Sequence, residues 1–282
     1  MKVFKLFLLF ILVFLVSGSC YALDNNMPDK ATLAANRMRF DSKTGDFLAD
    51  GNVTITAGDL RVAAPTGSGN VERKEVNFDK GITATGKWQG DKIDFRAGKL
   101  ALTFEGVPTC KFQNGVKGTI GTMRLDADRL TLIGAGGISE PTPQDKQTKF
   151  WLAKVRNLED RSQGVTFSAG SVEGVMRGGN IQDFTAKNKI NLKGRPKAKD
   201  DAVTLRGDRA VYSVERGSIV VNGHVVAVQG GRTLRSDSIV YFPSQNRVEA
   251  LGGLTKKKDG TTQAERAEIT IDLSRERGRS KK

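Results

Sequence analysis

The residues this chain lacks limit the chemistry it can perform. Its 282 residues include one histidine, His224, and two cysteines, Cys20 and Cys110. A structural zinc site needs about four clustered Cys or His ligands, and a disulfide scaffold needs several cysteine pairs; neither can be assembled. Gly81-Ile82-Thr83-Ala84-Thr85-Gly86-Lys87 begins like a phosphate-binding loop. Trp88 follows where a Ser or Thr must hold magnesium, and the stretch alternates like a strand. Gly134-Ala135-Gly136-Gly137 lacks the spacing of a dinucleotide motif and reads as a loop. His224 adjoins Asn222-Gly223 and, with no second ligand type nearby, reads as a surface turn residue. Carboxylates are plentiful, but most fall at outward or turn positions, and nothing selects a pair for glycoside hydrolysis. The expectation is a protein that is not an enzyme, with no catalytic residues, no metal and no cofactor.

Elements that would position other functions come next. Hydrophobic residues make up 38% and charged residues 27%, which excludes a polytopic membrane protein and a wholly disordered chain. With 32 glycines and only 7% aromatics, the composition suits many short strands and tight turns. Residues 1–22 combine Lys2 and Lys5, an unbroken apolar run from Phe7 to Val16, and a Cys20-Tyr21-Ala22 cleavage site. That is the pattern of a secretory signal, and the run is shorter than the roughly 20 residues of a comfortable membrane span. Cleavage after Ala22 is expected. The alternatives are an uncleaved anchor, or cleavage before Cys20 to leave a lipidated cysteine, which Ser17 disfavours. Cleavage leaves 43 basic and 31 acidic residues, about +12. Cys110, then the one remaining cysteine, reads as a small buried apolar residue. The basic runs Lys256-Lys257-Lys258, KGRPKAK and SRERGRSKK suit an anionic lipid or membrane surface better than nucleic acid in an exported protein.

The chain after the leader repeats itself. Asn36-Arg37-Met38-Arg39-Phe40 precedes Gly51 by fifteen residues, counted from Asn36, and Asp208-Arg209-Ala210-Val211-Tyr212 precedes Gly223 by the same interval. Asp91 to Gly106 and Asp237 to Gly252 keep that spacing, and partial copies begin at Asp128 and Glu265. Within each unit the apolar residues alternate: Met38/Phe40, Phe47/Ala49, Val53/Ile55, Ile93/Phe95, Leu102/Phe104, Ala210/Tyr212, Ile219/Val221, Val225/Ala227, Ile239/Tyr241 and Val248/Ala250. A period of two puts such side chains on one face of a strand. Between them lie Arg37, Arg39, Lys92, Asp94 and Arg209. Asp50-Gly51 and Asn222-Gly223 supply the positive backbone angles of tight hairpins, so each unit reads as strand, turn, strand. The strongest helical candidate is Lys149–Leu158.

These units resemble the "A-D-x-A-x-Y…G-N-V" repeat of the OstA-like family, which includes the periplasmic lipopolysaccharide-transport protein LptA. The resemblance rests on 35–64 and 205–272, holds more loosely over 80–132 and is weakest over 133–204. Related repeats occur in LptC and in the N-terminal domain of LptD. The resemblance implies an all-β fold: a twisted open β-jellyroll of strand-turn-strand units, in one block or two stacked blocks. With the signal peptide (1–22), the Gly- and Pro-rich loop (134–148) and the disordered basic tail (274–282) read from composition, the resemblance implies a first OstA-like block (23–133) and a second (149–273). It also implies lipopolysaccharide (lipid A) as ligand, other transport components at the inner and outer membranes as partners, end-to-end self-association, and a periplasmic location. The expected groove lining is Met38, Phe40, Phe47, Val53, Ile55, Ile93, Phe95, Tyr212, Ile219, Val225, Ile239 and Tyr241. Two other classes are compatible with the same residues. One is a structural or adhesive β-solenoid; the other is a carbohydrate-active β-helix enzyme with a carboxylate cluster on one sheet.

N-terminal sequencing of the exported protein is expected to begin at Leu23. A chain beginning at Met1 would instead retain the apolar run as a membrane anchor.

Overall fold

The structure is a computed structural model. It describes residues 30–134, 147–194, 201–230 and 232–251, with short strand segments at 12–13, 254–256, 262–264 and 268–271. Among these residues there is no α-helix, and the chain is nearly all-β, as the two-residue period demands. The leader 1–22 lies outside the described residues except for β1, Leu12–Val13, which pairs with Leu33 and Thr32. The loop residues 135–146 and 195–200, the Gly252 turn and the tail 274–282 also lie outside them.

The chain divides into two compact units. The first contains β2 Ala31–Ala34, β3 Arg37–Phe40, β4 Asp46–Ala57, β5 Leu60–Asn70, β6 Glu75–Trp88, β7 Asp91–Thr103 and β8 Thr109–Ile120. It also takes the C-terminal part of β9, Met123–Ile133. The second contains the rest of β9, most of β10 Gln147–Asp160, then β11 Val165–Arg177, β12 Asn180–Gly194, β13 Val203–Ser213, β14 Ser218–Gln229 and β15 Arg232–Phe242. A 3-10 turn, Pro243–Gln245, leads to β16 Arg247–Leu251, and β17 Leu254–Lys256, β18 Thr262–Ala264 and β19 Glu268–Ile271 follow. In each unit successive long strands pair antiparallel in chain order, and the sheet stays open. This is the open, jellyroll-type architecture expected.

The hairpin assignment at Gly51 and Gly223 is corrected. Both residues lie inside strands, β4 and β14. The chain reverses elsewhere, as at Gly45, Gly58 and Gly217. Gly51-Asn52 and Gly223-His224 are pairs of left-handed residues, with φ 76° and 51°, and 84° and 48°. The ladder slips at each pair, between Asp50 and Val53 and between Asn222 and Val225. The positive angles are real, but they make a β-bulge that kinks a long strand rather than a turn that ends it. Lys80-Gly81, Asn114-Gly115 and Asn188-Lys189 repeat the device in β6, β8 and β12. The fifteen-residue spacing acquires a cause in two of its four instances. A Cβ built on Gly51 would meet the Asn36 amide at 2.8 Å, and one on Gly223 would meet the Asp208 carboxylate at 2.4 Å. The leading Asn or Asp packs against the kink glycine. Asp91 and Gly106 do not form such a pair: Asp91 is buried at the start of β7, and Gly106 lies in the connection to β8.

The one helical candidate, Lys149–Leu158, is the middle of β10. Its alternation, Phe150 then Leu152, is interrupted at Lys154, whose φ is 48°. The phase then jumps to Val155 and Leu158. A kinked strand thereby imitates three-residue helical spacing.

Each kink lets the two halves of a strand face each other. Phe95 and Phe112 belong to opposite halves of the first unit, and their ring centroids are 5.2 Å apart. Phe167 and Phe184 belong to opposite halves of the second and stack at 4.9 Å. Burying one such aromatic side chain contributes about 2–3 kcal/mol. The outer surface carries exposed ion pairs, among them Arg37–Asp50 at 2.6 Å and Lys99–Asp79 at 2.9 Å. Each contributes at most about 1 kcal/mol.

Alanine replacement separates the backbone cost of a kink from its packing cost. Gly81 has φ 83° and open space where a Cβ would stand. Gly81→Ala should cost about 1–2 kcal/mol, the penalty of a left-handed alanine, in urea unfolding. Gly51→Ala should cost roughly 1 kcal/mol more, because Asn36 must also move. Equal losses would mean that Asn36 does not brace the kink.

Candidate functional site

The candidate site is the apolar interior of each unit. Register places its side chains in rows that run across the strands. In the first unit Leu33, Ile55, Val62, Ala84 and Phe95 are successive cross-strand partners. On the facing half, Phe40, Phe47, Gly69, Val76, Leu102 and Cys110 form another row. In the second unit Phe184, Tyr212, Ile219, Tyr241 and Val248 align across five strands. Strand neighbours lie about 4.8 Å apart, so each row is a continuous apolar strip.

Ten of the twelve residues expected from sequence are buried: Phe47, Val53, Ile55, Ile93, Phe95, Tyr212, Ile219, Val225, Ile239 and Tyr241. They are divided between facing halves: Phe47 opposes the half holding Val53, Ile55, Ile93 and Phe95, and Val225 opposes the half holding the others. Met38 is half-buried and Phe40 is 43% exposed. Both pair with buried partners, Ala49 and Phe47, so their side chains belong to the apolar face. They stand on the short strand β3, with little sheet around them. Sequence reasoning missed Phe78, Leu100, Phe112, Phe167, Phe184 and Leu192, all buried in the same interiors. All but Leu100 lie outside the four fifteen-residue units. Period-two pairs such as Leu100/Leu102 and Ile190/Leu192 carried the signal.

Apart from the hydroxyls of Tyr212 and Tyr241, the rows are free of buried polar side-chain groups along their length. Among the described residues the buried polar side chains are Asn70, Asp91, Thr148, Asp160 and Ser218. Every one stands at a strand end: Asn70 and Asp160 close β5 and β10, Asp91 and Ser218 open β7 and β14, and Thr148 is second in β10. Asn70 donates to the Thr44 carbonyl and the Asp46 carboxylate. Asp160 accepts from the Ser162 amide and hydroxyl. These groups fasten turns and leave the strand middles apolar.

Tyr212 is the exception within a row. Its hydroxyl is buried without a hydrogen-bond partner. Burial, reinforced by the Asp160 and Asp183 charges, pushes its pKa up to about 12. Burial also raises the Tyr241 phenol and the Cys110 thiol. Cys110 is a free cysteine sealed in the core, as its sequence context led one to expect. His224 occupies the β14 kink, exposed, with Nδ1 3.5 Å from the Asp208 carboxylate. Gly81–Lys87 lies within strand β6 and Trp88 is buried, which leaves no phosphate-binding turn there. An open recess of about 850 Å³ lies on the first unit beside Arg37, Arg39, Leu48, Asp50 and Asp79. The Arg37–Asp50 pair occupies part of it. No group of three or more His, Cys, Asp or Glu suited to a metal ion occurs among the described residues.

Comparison with known protein families finds no match, and comparison with curated proteins finds none. Among solved structures, the chain is similar to the crystal structure of LptH, the LptA homologous periplasmic component of the conserved lipopolysaccharide transport device from Pseudomonas aeruginosa. The identity is 13%, with 88% of this chain and 98% of that chain covered and a TM-score of 0.28. A likeness of that order assigns no function, so the functional reading rests on this chain's own residues.

Tyr212→Phe removes the unpartnered hydroxyl. Its stability at pH 7 should be unchanged or higher by up to about 1 kcal/mol, since an unsatisfied buried group is lost. The folded pKa of about 12 exceeds the ordinary 10.0, so ionisation favours the unfolded chain. The wild type should therefore lose stability as pH rises from about 10 to about 12, and the variant should lose less. Parallel alkaline unfolding curves would show that Tyr212 titrates normally.

Proposed function

We propose that this chain is a periplasmic lipopolysaccharide-binding transport protein that shields acyl chains in the apolar interior of its β units. In this reading it helps to bridge the inner and outer membranes for outer-membrane assembly. The observation that carries it is the set of apolar cross-strand rows, with buried polar side chains confined to strand ends. An acyl chain gains about 0.8 kcal/mol per methylene removed from water and asks for no polar partner. A row of Leu, Ile, Val and Phe offers that environment along its whole length. The Asn36–Gly51 and Asp208–Gly223 segments, which resemble the OstA-like repeat, support the same assignment. So does the basic surplus, which suits a phosphate-bearing headgroup. Its partners are then other transport components at the two membranes, with copies of itself stacked end to end. Strand β3, with Phe40 exposed, supplies an apolar end for such contact.

One observation favours a second reading, a dry structural β protein. Phe95 is fully buried, and aromatic pairs such as Phe95–Phe112 already bridge the facing halves. Photo-crosslinking decides between them. A photoreactive residue at Phe95 or Tyr212 should capture lipopolysaccharide, whereas one at the outward positions Asp94 or Val211 should capture at least tenfold less. Equal capture from both faces, or none from either in variants of native thermal stability, would leave the structural reading.

A further inference from the structure

Outward positions in strands β12 to β15 of the second unit carry a second pattern, distinct from the interior. Beyond the kinks, Asn191, Arg206, Val226 and Arg235 are successive cross-strand partners, and Lys193, Thr204, Val228 and Thr233 form the adjacent row. Two valines on β14 therefore stand on the wetted face, and Val228 is 42% exposed. Arg206 and Arg235 flank Val226, while Lys193 lies two strands from Val228 in its row. Arg206 and Lys193 have no carboxylate opposite them in their rows, and Arg235 has Glu268 of β19 as its cross-strand neighbour. The outer face of the first unit offers a contrast. There the outward rows beyond the β4 and β6 kinks hold no valine: Thr54, Thr56, Thr83 and Thr85 stand in rows with Arg61, Arg96 and Asp94.

The basic character continues along the chain. Strand β19 pairs with Arg232–Arg235 of β15 and ends at Ile271. The sequence that follows it, DLSRERGRSKK, has five cations and two acids. Exposed valines beside outward arginines fit a surface that is anionic at its face and apolar beneath. Arginine side chains lay their stems along apolar ground and present the guanidinium to phosphate, and anionic leaflets concentrate basic segments.

We propose that this outer face of β12–β15 docks the second unit on an anionic phospholipid bilayer, with Arg206, Arg235 and Lys193 on lipid phosphates and Val226 and Val228 against the interface. This goes beyond the interior reading and involves none of its residues.

Flotation of the chain, as its host exports and processes it, tests the proposal on two vesicle types. Vesicles of phosphatidylethanolamine and phosphatidylglycerol should bind at least tenfold more protein than vesicles of phosphatidylcholine, and high salt should reduce that binding. R206E/R235E should lower binding to anionic vesicles at least tenfold and V228D several-fold. R61E, an outward cation on the first unit, should leave it nearly unchanged. In a Val228→Trp variant, the added fluorescence should shift to the blue with anionic vesicles and be quenched by brominated lipid. Equal binding to both vesicle types would overturn the proposal. So would equal loss in R61E and R206E/R235E, which would report net charge, or undiminished binding of R206E/R235E, which would place attraction in the basic tail. Unshifted Val228→Trp fluorescence on bound vesicles would also overturn it. Interior crosslinking in R206E/R235E should persist, so failure of one reading is distinguishable from failure of the other.

Discussion

Both units depend on one constraint: a strand of about twelve residues must bend while keeping its apolar side chains on one face. A regular strand that simply curves would splay its ladder, and a turn would end it. Two left-handed residues in succession solve the problem, because they insert a bulge and preserve the alternation of faces. In β4 the buried positions run Phe47, Ala49, then Val53, Ile55 and Ala57 across Gly51-Asn52. The left-handed backbone costs about 1–2 kcal/mol for a residue with a Cβ, which explains why Gly and Asn dominate these sites. Gly98 opposes Asn114, and Gly170 opposes Asn188, with no room for a Cβ in either case.

Once the kinks are fixed, the interior follows. The two halves of each strand meet face to face, and aromatic rings span the gap. Tyr241 reaches so close to the Gly194 backbone that a Cβ there would overlap its hydroxyl. Polar side chains are pushed to strand ends, where turn amides can satisfy them. Asn70 and Asp160 do the same work in different units, each organising the turn that follows its strand. Separation of apolar middles from polar ends is thus a consequence of hydrogen-bond satisfaction, whatever the interior holds.

The all-β fold and ten of the interior residues were legible because a two-residue period holds within each half of a strand, and in β4 and β14 it also survives the kink. The kinks themselves were not legible, since Asp50-Gly51 and Asn222-Gly223 have the composition of hairpin turns. Only the ladder on both sides tells a bulge from a reversal. Strands whose phase jumps at the kink were harder. In β7 the buried set jumps from Ala97 to Leu100, and in β13 from Leu205 to Ala210, which breaks the alternation. The same jump gave β10 its helical look. Phe40 shares a face with Phe47 by register, but exposure depends on what covers a face, and β3 has only four residues.

A dry core and an interior that admits acyl chains would place different demands on the same residues. Hydrophobic contact is non-directional and roughly proportional to area, so exchanging a ring–ring contact for a ring–methylene contact changes little free energy. A polar group midway along a row would break that near-equivalence, by demanding a hydrogen bond in one state and losing it in the other. The Tyr212 hydroxyl is the one polar atom of this kind in the Phe184–Tyr212–Ile219–Tyr241 row without a partner. A phenol with a pKa of 10 or above is neutral at pH 7, so on the proposed reading it presents no charge to an acyl chain. A core selected only for rigidity gains from locking such a hydroxyl to a partner. A row that must accept one methylene after another gains from leaving every position interchangeable.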